Sequence, residues 1–291
     1  MSTLYPDDPD GSGPEIEFAY LSELPSLPAL LIDALQHLDG NPEITTLVDK
    51  IGQDPPTVVR LLRIANSSFY GMSREIASLR EAIVVLGFNC VRDLLVGICF
   101  SQMWSRQHND FDYTKFWHHS MAVADCSRQL ANYTGINPDI AFTAGLLHDI
   151  GQLVIVFLFP DAVDRIFHAQ DARPPYGMQA PIAEKERQLL GFDHAYIGAI
   201  AARHWNFPVV IQKAIEQHET MPAAGAVKSL GVLIYSANLL MADSMPWDRS
   251  AAQDREEALR ITLDILGVPV EQALLSADAG RRFAERIIAA L

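Results

Sequence analysis

Positive charge is what this chain has least of. Its 291 residues carry 22 Lys and Arg against 36 Asp and Glu, a net charge of −14. A nucleic-acid backbone or an anionic lipid surface needs a basic face, so DNA is an unlikely partner and no membrane contact is expected. Cysteine is scarce as well. Cys90, Cys99 and Cys126 stand in apolar surroundings without CxxC spacing, which reads as core thiols in a reducing cytoplasm. Long apolar runs are missing from this reading: the tightest, Leu153 to Phe159, stops at Pro160, short of the roughly 18 residues a membrane span needs. The acidic start, with Asp7, Asp8 and Asp10, lacks the basic region and apolar stretch of a signal peptide, and residues 1–15 read as a disordered lead-in. Period-two alternation is absent too, so no strand is expected, and no internal repeat stands out.

What is present is helical periodicity. Apolar residues recur at spacings of three and four almost throughout, which predicts an all-α fold: a multi-helix bundle preceded by a packed helical subdomain. Leu27, Leu30, Leu31, Ala34 and Leu35 give a first helix, and Ile44, Leu47, Val48 and Ile51 a second. Asp54-Pro55-Pro56 opens a third, with Asp54 as N-cap. Residues 78–104 read as two helices broken near Gly87-Phe88-Asn89. Polar Ser105 to Asp112 is the expected boundary, giving subdomains 16–110 and 111–291. Beyond it, Asp171 to Pro181 is a surface loop by its Pro and Gly content. Further helices are expected near 183–190, 194–204, 208–218, 226–243, 252–266 and 269–289.

Chemistry concentrates in Gly145-Leu146-Leu147-His148-Asp149-Ile150-Gly151. From Ala141 to Leu158 the polar side chains are only Thr143, His148, Asp149 and Gln152. A carboxylate buried without a partner costs several kcal/mol, so Asp149 requires a cation, a donor network or a metal. Helical spacing supplies the candidates. His119 shares a face with Val123, Cys126 and Leu130, whereas His118 points toward solvent. His194, after the N-cap Asp193, aligns with Ile197, Gly198 and Ala201, and His218 aligns with Ile211, Ala214 and Ile215. Asn238 aligns with Ile234, Tyr235 and Met241. Inward side chains on several helices are how bundles build metal sites. Imidazole with carboxylate suits a divalent Fe, Mn, Zn or Ni ion.

A His, then a His-Asp pair, then a distal polar residue resembles the HD superfamily of metal-dependent phosphohydrolases, and His194 with Gln217-His218-Glu219 resembles its HD-GYP branch. The departures are specific. Asn238 stands where the pattern has Asp, Gln152 where it has Lys and Gln217 where it has His, and no Gly-Tyr-Pro follows Glu219. Leu24-Pro25-Ser26-Leu27-Pro28, Asp54-Pro55, Leu61-Leu62-x-x-Ala65-Asn66-Ser67 and Ala82-Ile83-x-x-Leu86-Gly87 then resemble the HDOD family, the HD-related output domain, from about Leu21 to Met241.

That resemblance implies a bacterial signalling output module with a degenerate HD site rather than an enzyme. It would act through contacts with a sensor kinase, a receiver domain or a cyclic-nucleotide signalling protein. Losing an anionic ligand at 238, an imidazole at 217 and a cation at 152 weakens the case for hydrolysis. His119, His148, Asp149, His194 and His218 could still hold one metal, or they could form a buried hydrogen-bond network. Two alternatives stay open: an active phosphohydrolase on a nucleotide or cyclic dinucleotide, and a DNA-binding regulator using a helix-turn-helix over residues 46–65 with Arg60 and Arg63.

Overall fold

A computed structural model describes residues 22–28, 44–66, 75–104, 111–168, 182–241 and 249–290. The expected helix around Leu30 to Leu35, the lead-in 1–15, nearly all of the 105–112 boundary and the loop 171–181 lie outside the described residues. Among the described residues there is no strand. The helices are α1 (Ile44–Ile51), α2 (Pro55–Ala65), α3 (Leu79–Leu86), α4 (Phe88–Trp104), α5 (Tyr113–Thr134), α6 (Pro138–Leu147), α7 (Ile150–Leu158), α8 (Ile182–Leu190), α9 (His194–His204), α10 (Val209–Gln217), α11 (Leu230–Met241), α12 (Arg249–Leu266) and α13 (Val270–Ala290). The fold is all-α, as the periodicity predicts.

Local chemistry sets most of the boundaries. The Asp112 carboxylate accepts from Lys115 N at the start of α5, and Asn137 accepts from Asp139 N and Ile140 N, with Pro138 at the first position of α6. Gly87, at φ 81°, turns α3 into α4 in a backbone region that side chains rarely adopt. Asp54 does stand before α2, but its carboxylate accepts the Thr57 hydroxyl instead of a backbone N–H. α11 begins at Leu230, four residues later than its apolar pattern suggests. The chain turns at Gly225 with φ 81°, and Ser229 accepts from Val232 N.

α5 is the central helix. It packs along α13 and α6 and also touches α11, while α9 bridges α7 and α10. One continuous buried apolar cluster runs from Leu24 through Leu61 and Leu95 to Val123, Ile155, Ile215 and Ile287. The N-terminal helices are pinned to the rest by the buried Arg92, which pairs with Asp139 at 3.3 Å, and by Asn89, which donates to the same carboxylate. Trp205 Nε1 donates to Pro25 O from the other side.

The sequence reading found no membrane-length run, and here the structure corrects it. Residues Pro138–Leu158 form a 21-residue stretch long and apolar enough to cross a membrane. The reading counted only Leu153 to Phe159, but the helical stretch continues back through His148-Asp149 to Pro138. The stretch is 89% buried inside the protein, as expected of a core helix. Cys99 and Cys126 are buried thiols.

Candidate metal centre

Two helix crossings create the site, and each needs a glycine. A Cβ on Gly151 would lie 1.9 Å from His194 O, so α7 and α9 touch through backbone. A Cβ on Gly145 would lie 2.9 Å from Ala124 Cα, which sets α6 directly on α5. The first contact brings His194 to Asp149. The second brings His148, at the turn between α6 and α7, to His119 on α5. His218 follows the last turn of α10, and Asn238 comes from α11.

Asp149 is the hub. Its Oδ1 lies 3.2 Å from His218 Nε2 and 3.3 Å from His194 Nε2. Its Oδ2 lies 3.4 Å from His148 Nε2 and 3.8 Å from His119 Nε2. Two triads of ligand-type atoms therefore share this carboxylate: His119, His148 and Asp149, and Asp149, His194 and His218.

The opposite ring nitrogens decide the protonation. His148 Nδ1 lies 2.7 Å from Gly145 O, His218 Nδ1 2.6 Å from Ile215 O and His194 Nδ1 2.6 Å from Glu186 Oε2. Carbonyl and carboxylate oxygens only accept, so each Nδ1 carries the proton and donates. Each ring thereby turns its Nε2 toward the Asp149 carboxylate. The Nε2 atoms of His194 and His218 are 3.1 Å apart, and His148 Nε2 is buried without a hydrogen-bond partner among the described residues. Such an arrangement requires positive charge, either an extra proton or a metal ion. Anchored Nδ1–H groups and open Nε2 atoms are the usual preparation of histidine for metal.

The electrostatics agree. Burial pushes His148 down to about 3, only partly opposed by Asp149, so this ring is neutral. Burial would likewise lower His194, but the Glu186 carboxylate and Asp149 overcome it and hold it well above its usual value. Burial acts to raise Asp149. The three imidazoles that face it, His148 and the hydrogen-bonding His194 and His218, outweigh that, so the carboxyl stays ionised. The donor set fits a divalent cation. Asp149, His148, His194 and His218 would hold it.

His119 is placed differently. It is partly exposed, and its Nε2 lies 3.1 Å from Asn238 Oδ1. Asn238 Nδ2 donates to Glu219 Oε1 at 3.3 Å, which fixes the amide with its oxygen toward His119. With the amide so placed His119 Nε2 donates to it, while the same nitrogen also belongs to the His119, His148 and Asp149 triad of ligand-type atoms. Gln152 lines the cavity over the cluster. Gln217 does not belong to the site. Its side chain lies against α11, where a Cβ on Gly231 would be 2.2 Å from its Oε1. His118 is half-buried rather than solvent-facing.

Two carboxylates join the site, Glu219, which the sequence reading named without a role, and Glu186, which it missed. Glu219 Oε1 is 3.6 Å from His218 Nε2 and 3.8 Å from His194 Nε2. Glu186 is fully buried on α8. Its only signal was a shared face with Ala183 and Leu190, inside a charged run that reads as solvated. A cavity of about 560 Å³ opens over the cluster, walled by Phe111, Phe116 and Phe167, with Lys115 on its lining.

A helical bundle that gathers a His-Asp pair and further histidines around one carboxylate is an HD-like domain. Within that class, the HDOD domain matches residues 24–221, and the chain belongs to the HDOD family. It is 26% identical to a protein of Shewanella amazonensis SB2B named "Putative phosphohydrolase", with TM-score 0.69, covering 93% of this chain and 97% of that one. An HDOD domain protein of unknown function from Geobacter sulfurreducens superposes with TM-score 0.72 at 22% identity, covering 92% of each chain. A protein of Treponema pallidum (strain Nichols), described only as uncharacterized, is 27% identical over 210 residues. Those residues are 70% of this chain and 39% of that protein, so the chain spans about two fifths of that relative's length.

Proposed function

We propose that this chain is a signalling output module built on a single-metal pocket, and that it acts by contact with a protein partner rather than by turnover. The observation that carries this reading is the division around Asp149. On one side three imidazole Nε2 atoms converge on the carboxylate, and on the other His119 is engaged by the His119–Asn238–Glu219 hydrogen bonds. A divalent ion bound to Asp149, His148, His194 and His218 would act as a Lewis acid. The chain's own residues then do little to complete a hydrolytic site. Asn238 contributes a neutral amide already engaged at both ends, and residue 152 presents an amide instead of an ammonium. Membership of the HDOD family supports a regulatory role. The partner would be a sensor kinase, a receiver domain or a cyclic-nucleotide signalling protein. The scarcity of cysteine and the net charge of −14 suit the cytoplasm.

A phosphohydrolase is the second reading. Lys115 on the cavity lining favours it, as does the Shewanella relative's name. Protein loaded with Mn²⁺ or Fe²⁺ and given a panel of nucleotides and cyclic dinucleotides decides between them. The module reading expects no turnover above that of an Asp149→Asn variant, whereas sustained turnover lost in that variant establishes the hydrolase. A DNA-binding role for residues 46–65 gains nothing. Thr57, Leu61, Ile64 and Ala65 of α2 are buried in packing, and the net charge is −14.

A further inference from the structure

We propose that Glu186 is a positioning residue for the metal centre: it locks the His194 ring and strengthens it as a ligand, although it touches no ligand position itself. The inference rests on the single-metal pocket argued above. Its geometry is specific. One oxygen, Glu186 Oε2, accepts from both His194 Nδ1 at 2.6 Å and His194 N at 2.8 Å. Ring and backbone of one residue are thereby fixed by one carboxylate oxygen, which sets both the position of the imidazole and its tautomer. The Nε2 lone pair is left facing Asp149 and His218.

A capping role alone does not explain the carboxylate. The start of α9 is already capped by Asp193, whose side chain accepts from Tyr196 N. Glu186 is 0% exposed, and its other oxygen, Oε1, is buried without a hydrogen-bond partner among the described residues. An orphaned charged oxygen is expensive in the interior. It is sustained where a facing positive charge uses it, and a metal-bound imidazole supplies one. A carboxylate behind a ligating histidine raises the ring's basicity, and its removal typically weakens metal binding about 10–100-fold.

Glu186 also ties the metal to α8. Apart from this residue, the buried contact of α8 is Ala183, and Ile182 and Ala183 line the cavity. Lys185 Nζ reaches Ile166 O at 3.5 Å and gives α8 a hold independent of the centre. Lys185→Ala is therefore a control that loosens α8 while leaving His194 untouched.

The test is Mn²⁺ affinity, read by electron paramagnetic resonance, for wild type, Glu186→Gln and Lys185→Ala, alongside thermal melts. Co²⁺ absorption spectra of the same proteins report the ligand field. Glu186→Gln is isosteric and keeps an accepting oxygen for His194, so the fold is expected to persist. The proposal predicts a 10–100-fold weaker Mn²⁺ site and an altered Co²⁺ spectrum in Glu186→Gln, with Lys185→Ala within about 3-fold of wild type. Unchanged affinity in Glu186→Gln overturns it and leaves the metal pocket standing. Equal weakening in both variants also overturns it, since α8 docking would then be the cause. Absence of Mn²⁺ binding in wild type overturns the pocket reading and this proposal together.

Discussion

The two sides of Asp149 use the same residue types and reach opposite states. On the deep side, His194 and His218 are buried, their Nδ1 atoms are anchored, and their Nε2 atoms converge 3.1 Å apart on the Asp149 carboxylate. On the rim, His119 has the same distance to a neighbour, 3.1 Å to Asn238 Oδ1, but there the contact is a satisfied hydrogen bond. The difference lies in what faces each ring. A carbonyl or carboxylate behind a histidine leaves its front nitrogen available. An amide in front, itself held by Glu219, consumes it. A motif of histidines therefore does not state how many metals a site takes; the tautomers do.

The severest way to break the comparison is to remove the crossing that creates the deep side. Gly151→Ala places a methyl 1.9 Å from His194 O, and the backbone of α9 must move. Urea unfolding should show a loss of about 3 kcal/mol, and the deep side should lose its metal. Asp149→Asn keeps the shape but removes the anion both sides share. Its Mn²⁺ affinity should fall by more than the ~10–100-fold typical of a lost supporting contact, as followed by competition with a chromogenic chelator.

The comparison sharpens when single histidines are removed. His218→Ala should weaken Mn²⁺ by on the order of 100-fold, and His119→Ala by less than about 3-fold. Calorimetric titration of both gives the ratio, and equal losses would mean that the rim ring is also a ligand.

The smallest effect is in pH. His148 is pushed down to about 3 in the folded chain, below its usual value near 6.5. Its stability contribution is present above that unfolded value and is lost as pH falls below it. Between pH 6.5 and 5 the metal-free protein should lose roughly 2 kcal/mol from this ring. His194 is shifted up, so its contribution is full below its unfolded value and is lost as pH rises through the folded one. Melts of metal-free protein across this range should show a flatter acid limb in His148→Gln.

Much of this was legible in the residues. Helix positions followed from apolar spacing and caps, and the inward faces of His119, His194 and His218 followed from the same period. Three things were not legible. Glu186 sits in Glu184-Lys185-Glu186-Arg187, and tertiary packing of α8 against α9 and the Asp164–His168 segment buries one of those four charges. Gln217 stands beside His218, yet the turn that ends α10 sends the two side chains to different neighbours. The state of His119 depends on which way the Asn238 amide faces, and Glu219, from a separate segment, decides that.

The most direct measurement is the metal content, by elemental mass spectrometry, of protein purified without chelator or nickel affinity. Wild type, His119→Ala and a His148→Ala/Asp149→Ala double variant should be compared. The account predicts close to one Fe, Mn or Zn ion per chain in wild type and in His119→Ala, and none in the double variant. Two ions in wild type with one in His119→Ala, or no metal in any of the three, would contradict it.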